Sequence, residues 1–154
     1  MILFLDFDGV LHKEPCHDTG MLMCHLPRME AILRDFPGVD VVISSTWREL
    51  LDLEQLRSYF SPAIASRIIG VTPDWRDVSH LFALVGSYIR QVEIEGWLQA
   101  SGRSSEQWVA LDDRAYLFAP SLPNLVCCAP DTGIDDGVEN ALRKKLAARI
   151  PPQF

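Results

Sequence analysis

The segment that decides the fold lies near the N-terminus and reads Leu3-Phe4-Leu5-Asp6-Phe7-Asp8-Gly9-Val10-Leu11. Its apolar first part is typical of a β-strand buried on both faces. In an extended chain, residues two apart project to the same side, so Asp6 and Asp8 are expected to converge where the strand ends. Open α/β sheets bind their ligands at this edge. The alternative is a solvated turn, because Asp8-Gly9 is also a common turn dipeptide.

Length and composition predict one globular domain that spans residues 1–154. The chain is 48% hydrophobic and 23% charged, which is neither a disordered nor a fibrous balance. A net charge of −7 does not favour bulk attraction of nucleic acid or anionic membranes. No apolar run approaches a membrane span, and adjacent Cys127 and Cys128 do not suit a disulfide framework. We therefore expect a cytoplasmic protein with reduced thiols and no membrane partner.

Short apolar runs alternate with segments of helical period, which predicts an α/β fold with a parallel sheet. The expected architecture is a three-layer, Rossmann-like sheet of about five strands with helices on both faces and no separate cap domain. The predicted strands are Ile2-Leu5, Val39-Ser44, Arg67-Val71, Trp108-Leu111 and Leu125-Cys128. The predicted helices are residues 28–36, 47–60, 88–100 and 135–148. Residues 9–27 and 72–87 are the least regular, and the first of these segments is expected to form a flap-like loop.

Hydroxyl side chains follow the second predicted strand. Thr46 and Glu49 have the spacing of a capping box, which predicts that a helix begins here with free backbone N–H groups. Such a helix start favours anions. Ser45 is then the hydroxyl left to face a bound phosphate, with Ser44 as the second choice. The alternative is that both serines only cap and turn the chain.

Two further carboxylates, Asp112 and Asp113, follow the strand predicted at Trp108-Leu111. Gathering Asp6, Asp8 and Asp112 in one place costs several kcal/mol of repulsion and desolvation unless a cation lies among them. Carboxylate oxygens are ligands that suit Mg²⁺. These carboxylates therefore indicate that Mg²⁺ binds where the strands end.

One arginine, Arg90, shares a predicted helical face with three apolar residues. A cation on an otherwise buried face requires an anion, unless its head group reaches water beyond an apolar stem. Three other arginines compete for the same role: Arg67, Arg76 and Arg103.

Taken together, these residues resemble the haloacid dehalogenase (HAD) superfamily of aspartate-dependent phosphohydrolases. The resemblance covers essentially the whole chain through four motifs in the order of the family. The first and most specific motif is Asp6-Phe7-Asp8-Gly9-Val10-Leu11, and Ser45, Arg90 and Asp112-Asp113 are similar to the second, third and fourth.

The resemblance implies a covalent mechanism in which Asp6 attacks phosphorus and Asp8 serves as general acid and then base. It also implies that Mg²⁺ is held by Asp6, the backbone carbonyl of Asp8 and Asp112, with Asp113 supporting or ligating. Ser45 and Arg90 would steady the phosphoryl oxygens.

The family often carries a cap domain, and this chain resembles a capless member, grouped with RNA-repair proteins. An open site implies a large substrate, such as a nucleic-acid 3′-phosphate end or a phosphoprotein, or a protein partner or oligomer that completes it. The residues predicted to contact the phosphorylated substrate are Ser44, Thr46, Trp47, Arg48 and Arg114. Within the flap, Cys16, His17, Cys24 and His25 match no common zinc pattern, and no role is assigned to them.

Two alternatives to an enzyme come from another functional class. A receiver-like phospho-acceptor is disfavoured because the third strand leads into Thr72-Pro73 and not into an acceptor aspartate. A catalytically degenerate HAD-like module that binds a phosphorylated ligand or a protein partner is the remaining alternative.

Overall fold

A computed structural model describes residues 1–148 of the protein. Five parallel strands form a single sheet in the order β3-β2-β1-β4-β5. The strands are β1 Ile2–Leu5, β2 Asp40–Ile43, β3 Ile68–Val71, β4 Trp108–Asp112 and β5 Leu125–Cys127. The predicted α/β class and all five predicted strands are confirmed, and their ends differ from the predicted bounds by at most one residue.

Six α-helices and four 3₁₀ helices connect these strands within the described residues. The α-helices are α1 Leu26–Asp35, α2 Leu53–Arg57, α3 Pro62–Ala65, α4 Phe82–Val85, α5 Ile89–Ala100 and α6 Asp136–Ala147. The 3₁₀ helices are Thr19–Met21, Thr46–Glu49, Trp75–Leu81 and Ala115–Leu117. None of the helices in residues 1–148 is long and apolar enough to cross a bilayer.

The two faces of the sheet are covered by different helices, which makes three layers. Leu3 and Leu5 of β1 lie in a cluster with buried residues of α1 and α6. Ile2 and Phe4 point the other way and pack with Ile94 of α5. This alternation explains why β1 is apolar at every position: a central parallel strand is buried on both faces.

The strand register places the carboxyl ends of β1, β2 and β4 side by side. Leu5 lies opposite Ile43 of β2 and Leu111 of β4. The next residue, Asp6, donates its backbone N–H to the Leu111 carbonyl at 3.1 Å, and Ser44 donates to the Leu5 carbonyl at 3.0 Å. The strand order reverses direction between β1 and β4, which is where ligands bind in folds of this type.

The predicted helix at residues 47–60 is wrong. Residues Thr46–Glu49 form a single 3₁₀ turn, and Ser45, not Thr46, is its N-cap, with Ser45 Oγ accepting from the Trp47 N–H at 3.3 Å. A new helix, α2, begins after Asp52, whose capping box with Gln55 has bonds of 2.8 and 2.9 Å. The interruption leaves Leu50, which has the spacing of an apolar helical face with Leu53, at 87% exposure.

The segment that follows β1 is anchored at both of its ends. Val10, Leu11 and His12 are buried, and the Val10 carbonyl accepts the Ile134 N–H at 3.0 Å. Residues 17–22 are exposed. The other irregular segment, residues 72–87, contains the 3₁₀ helix Trp75–Leu81 and α4, which were not predicted.

Candidate active site

Three carboxylates meet at the carboxyl ends of β1 and β4. Asp6 follows β1, Asp112 ends β4, and Asp113 is the next residue. One potential ligand atom from each of the three lies within 4.8 Å of the other two. Asp6 and Asp112 are almost fully buried, with exposed fractions of 4% and 1%. Acidic side chains about a hundred residues apart in sequence therefore share one site.

The environment of these groups favours their protonated forms. Burial, opposed by the charge of Arg90 and reinforced by that of Asp6, raises the pKa of Asp112 to about 7. Burial together with the charges of Asp6 and Glu14 raises the pKa of Asp113 to about 6. The pKa of Asp6 is also raised by burial, although Arg90 and hydrogen bonds from the Phe7 N–H and Ser45 oppose this effect. Burial is therefore the main reason that these carboxylates resist ionisation in the metal-free protein.

Arg90 supplies the positive charge that faces the cluster. It lies in the first turn of α5 and donates through Nη1 to Asp112 Oδ2 at 2.9 Å. The same nitrogen is 3.6 Å from Asp6 Oδ1. Arg90 Nε lies 3.6 Å from Glu93 Oε2 and has no hydrogen-bond partner among residues 1–148.

The three arginines that competed with Arg90 lie elsewhere. Arg67 donates to backbone carbonyls that follow α1, including that of Phe36 at 2.6 Å. Arg103 pairs with Asp40 at the beginning of β2, and Arg76 pairs with Asp74. Each is engaged with groups outside the acidic cluster.

The residues of the cluster fit a divalent cation. Asp113 Oδ1 is buried without a hydrogen-bond partner in the described part of the chain. The backbone also makes room for this carboxylate, since a Cβ on Gly9 would lie 2.2 Å from Asp113 Oδ2. Three carboxylates against one guanidinium leave a negative excess that oxygen-liganded Mg²⁺ would balance.

Asp8 lies beside the cluster and not in it. The N–H groups of Val10 and Leu11 both bond to the Phe7 carbonyl, at 3.1 and 2.9 Å, so the chain turns after Phe7 and does not continue as a strand. The Asp8 carboxylate instead accepts hydrogen bonds from His12 Nε2 and Trp47 Nε1. Its side chain is 30% exposed, so solvent reaches it.

The residues that follow β2 take different positions relative to the cluster. Ser45 is fully buried and contributes a hydrogen bond that lowers the pKa of Asp6. Ser44 is buried and bonds through its backbone, whereas Thr46 is exposed.

Two of the predicted substrate-contacting arginines are already paired. Arg48 donates to the carbonyls of Ser45 and Thr72, both at 3.0 Å, and pairs with Glu93 at 2.8 Å. Arg114 is 41% exposed and lies 3.2 Å from Glu14. The guanidinium of Arg48 therefore bonds to other groups of the protein, whereas Arg114 is accessible. A substrate contact for either residue stays a prediction.

Sequence reasoning missed His12 and Glu93. Glu93 lies one turn after Arg90 on α5, a spacing that identifies an ion-pair candidate once the helix is predicted. His12 lies in an irregular loop, and no sequence period marks it. His25 in the same loop bonds to the Thr132 carbonyl at 2.8 Å. Within residues 1–148, Asp6, Asp112 and Asp113 are the only group of three or more His, Cys, Asp or Glu residues close enough to hold a metal.

The parallel sheet and the acidic cluster at its switch point are those of the HAD superfamily. The family model described as "HAD domain in Swiss Army Knife RNA repair proteins" matches residues 2–137, and the chain belongs to this family. Membership supports a phosphohydrolase at the superfamily level, and the superfamily generally uses Mg²⁺. No curated protein and no solved structure shows significant similarity to the chain.

Proposed function

We propose that the protein is a Mg²⁺-dependent phosphomonoester hydrolase that acts through an aspartyl-phosphate on Asp6. The observation that supports this most directly is the position of Asp6. Its Oδ1 accepts the Phe7 N–H at 2.8 Å and lies 3.6 Å from Arg90. A carboxylate restrained in this way, beside Asp112 and Asp113, is a suitable in-line nucleophile.

The reaction has two half-steps. An oxygen of Asp6 attacks phosphorus, the bond from phosphorus to the leaving oxygen breaks, and protonated Asp8 gives its proton to that oxygen. Water then attacks the phosphorus of the aspartyl-phosphate while Asp8 takes a proton from this water. The bond between phosphorus and the Asp6 oxygen breaks, which releases inorganic phosphate and regenerates the Asp6 carboxylate.

Charge neutralisation accompanies both half-steps. Asp6, the carbonyl of Asp8, Asp112 and Asp113 would hold Mg²⁺, which when bound neutralises charge on the phosphoryl oxygens. We assign the remaining phosphoryl contacts to the buried hydroxyl of Ser45 and to Arg90, whose Nε has no hydrogen-bond partner in the described chain.

The proposed substrate is a large phosphomonoester that reaches an open site. Residues 1–148 contain no inserted cap domain. The family description names RNA repair proteins, which supports a nucleic-acid 3′-phosphate end as the first substrate to test, ahead of a phosphoprotein. Trp47 and Arg114 are accessible beside the site, whereas the net charge of −7 opposes strong binding of nucleic acid. A protein partner or a second copy that completes the open site belongs to the same proposal.

The activity is tested with an aryl phosphate in the presence of Mg²⁺ and after its removal with a chelator. We expect Mg²⁺-dependent release of phosphate that falls by at least ~10³-fold in Asp6→Asn, because the nucleophile is lost. The matched control is Asp131→Asn, which removes one negative charge from an exposed position and is expected to leave turnover unchanged. Undiminished turnover in Asp6→Asn would contradict the mechanism.

The substrate class is tested by comparing a 3′-phosphorylated oligonucleotide with a sugar phosphate. We expect a higher kcat/KM for the oligonucleotide, and equal values would count against the nucleic-acid assignment. A stable phosphoenzyme that forms without turnover would instead support the degenerate, ligand-binding module.

A further inference from the structure

The carboxylate of Asp8 is held by two nitrogen donors from different parts of the chain. His12 Nε2 lies 2.8 Å from Asp8 Oδ1. The indole Nε1 of Trp47 lies 3.1 Å from Oδ1 and 3.0 Å from Oδ2. His12 is 1% exposed, so one of these donors is shielded from water. Oδ1 therefore accepts from both donors, and Oδ2 accepts from Trp47 alone.

The other ring nitrogen of His12 determines which nitrogen carries the proton. Nδ1 lies 3.3 Å from the backbone nitrogen of Met23, a group that can only donate. Nδ1 is therefore the acceptor, and in the neutral ring the proton is on Nε2, where it is donated to Asp8. Met23 has a φ of 60°, which is uncommon for a residue other than glycine, and its N–H is presented to the ring in this conformation.

A general acid and base must present one oxygen to the leaving group and later to water, within hydrogen-bond reach in both half-steps. Asp8 is partly exposed, and among the described residues only the side chains of His12 and Trp47 donate hydrogen bonds to its carboxylate. We infer that His12 is the positioning residue for Asp8. Its Nε2–H holds Oδ1 so that Oδ2 is the oxygen that exchanges the proton. This inference rests on the role of Asp8 in the proposed function.

The alternative role for His12 is a purely structural one. The imidazole also links the segment after β1 to the backbone of Met23, and loss of that link alone would disturb the site as a whole. The two roles differ in their effect on leaving groups, because a good leaving group departs without a proton and a poor one requires it. Structural damage affects both kinds of substrate to a similar degree.

Two substitutions separate the two hydrogen bonds of the ring. In His12→Gln, the amide nitrogen reaches the place of Nε2 and can still donate to Asp8. In His12→Asn, the shorter amide reaches the place of Nδ1, so it can accept from Met23 but cannot reach Asp8. The readout is kcat/KM for phenyl phosphate, a poor leaving group, relative to dinitrophenyl phosphate, a good one.

We expect His12→Asn to lower kcat/KM by ~100-fold for phenyl phosphate and by less than ~5-fold for dinitrophenyl phosphate, as for a misplaced general acid. His12→Gln should restore the ratio of the two substrates to within ~5-fold of the wild type. The inference would be overturned if His12→Asn left the ratio of kcat/KM for the two substrates as it is in the wild type, whether both values fell equally or neither fell. A Gln variant that is as selective in its loss as the Asn variant would also overturn it.

Two controls separate this inference from the proposed function. His25→Gln alters another histidine of the same segment, one that bonds to the Thr132 carbonyl, and should leave the substrate ratio unchanged. Asp8→Asn should show the selective loss for phenyl phosphate in full. If it does and His12→Asn does not, only the role of His12 fails. If Asp8→Asn does not, or if the wild type shows no turnover, the proposed function fails and the inference with it.

Discussion

Gly9 determines whether Asp113 can lie in the acidic cluster. Its φ is +71°, a conformation that favours glycine, and a Cβ at this position would lie 2.2 Å from Asp113 Oδ2 and 2.5 Å from Asp113 Cγ. Asp113 would have to move, because the backbone of the turn after Phe7 is fixed by its own hydrogen bonds. The glycine is required for both its conformation and its lack of a side chain.

Gly9→Ala is expected to lower kcat/KM and the affinity for Mg²⁺ by about 10- to 100-fold, the usual cost of displacing a group that supports a metal site. Gly102→Ala is the matched control, since Gly102 has a φ of +70° but no other described atom within 4 Å of its Cβ position. Both variants should lose about 1 kcal/mol of unfolding free energy to backbone strain. Titration of activity with Mg²⁺ checks the difference, and equal activity in the two variants would contradict it.

At the scale of the elements, a chain of buried charges connects α5 to the end of β4 and to the segment that follows β2. Asp112 pairs with Arg90, Arg90 lies next to Glu93, and Glu93 pairs with Arg48. Glu93 also accepts the backbone N–H of Trp75 at 3.2 Å. Burial raises the pKa of Glu93 while Arg48 and Arg90 oppose the rise. These alternating charges fix the position of the first turn of α5, and therefore of Arg90, relative to the sheet.

Glu93→Gln is expected to lower the unfolding free energy by about 3 kcal/mol, because removing one partner leaves buried guanidinium charge uncompensated. The matched control is Glu95→Gln on the same helix. Glu95 is half-buried and has no ion-pair partner among the described residues, and burial raises its pKa. Glu95→Gln should therefore leave the unfolding free energy unchanged or raise it. Chemical denaturation of both variants checks the prediction, and equal destabilisation would refute a special role for Glu93.

The elements also show how far the sequence predicts this molecule. Buried parallel strands are apolar runs, so β1 to β5 were predictable, and Asp6 and Asp112 followed from their places at strand ends. The single helix predicted at residues 47–60 does not form, because Leu50 has the period of a buried helical face but lies between two separately capped helical segments. The direction of the Asp8 side chain, and with it the role of His12, depends on the turn after Phe7, which local patterns do not determine.

At the scale of the whole molecule, the protein offers little free positive charge to a polyanionic substrate, because its net charge is −7. Its exposed large side chains include apolar ones, such as Leu50, Leu84 and Tyr116. Arg114 is paired with Glu14, and Arg76, which lies away from the acidic cluster, is paired with Asp74. We therefore expect a substrate to be held mainly at the phosphoryl site, with little help from the field of the protein.

We expect the KM for a 3′-phosphorylated oligonucleotide to depend only weakly on salt concentration. Few phosphates would be neutralised by the protein, so we expect KM to rise by less than ~10-fold between ~50 and ~200 mM salt. A protein that contacts many phosphates loses far more affinity over this range. Steady-state kinetics at constant Mg²⁺ and increasing monovalent salt measures the slope, and a steep slope would show that the protein neutralises more phosphates than Arg114 can account for.

The acidic cluster also couples folding to protons and to Mg²⁺. Burial raises the pKa of Asp112 to about 7 and that of Asp113 to about 6 from 3.8. The metal-free folded state therefore binds more protons than the unfolded state between about pH 4 and 7, and its stability falls as the pH rises through this window. Mg²⁺ binds the deprotonated cluster, so it should raise Tm more at pH 8 than at pH 5.

In Asp113→Asn, we expect a smaller loss of stability with rising pH and also a smaller rise of Tm with Mg²⁺, because the Asp113 carboxylate causes part of each effect. Thermal unfolding at the two pH values, with Mg²⁺ and with a chelator, checks this coupling. A metal-free protein that becomes more stable from pH 5 to pH 8 would show that burial and mutual repulsion do not raise the pKa of these carboxylates, and would remove this argument for a metal site.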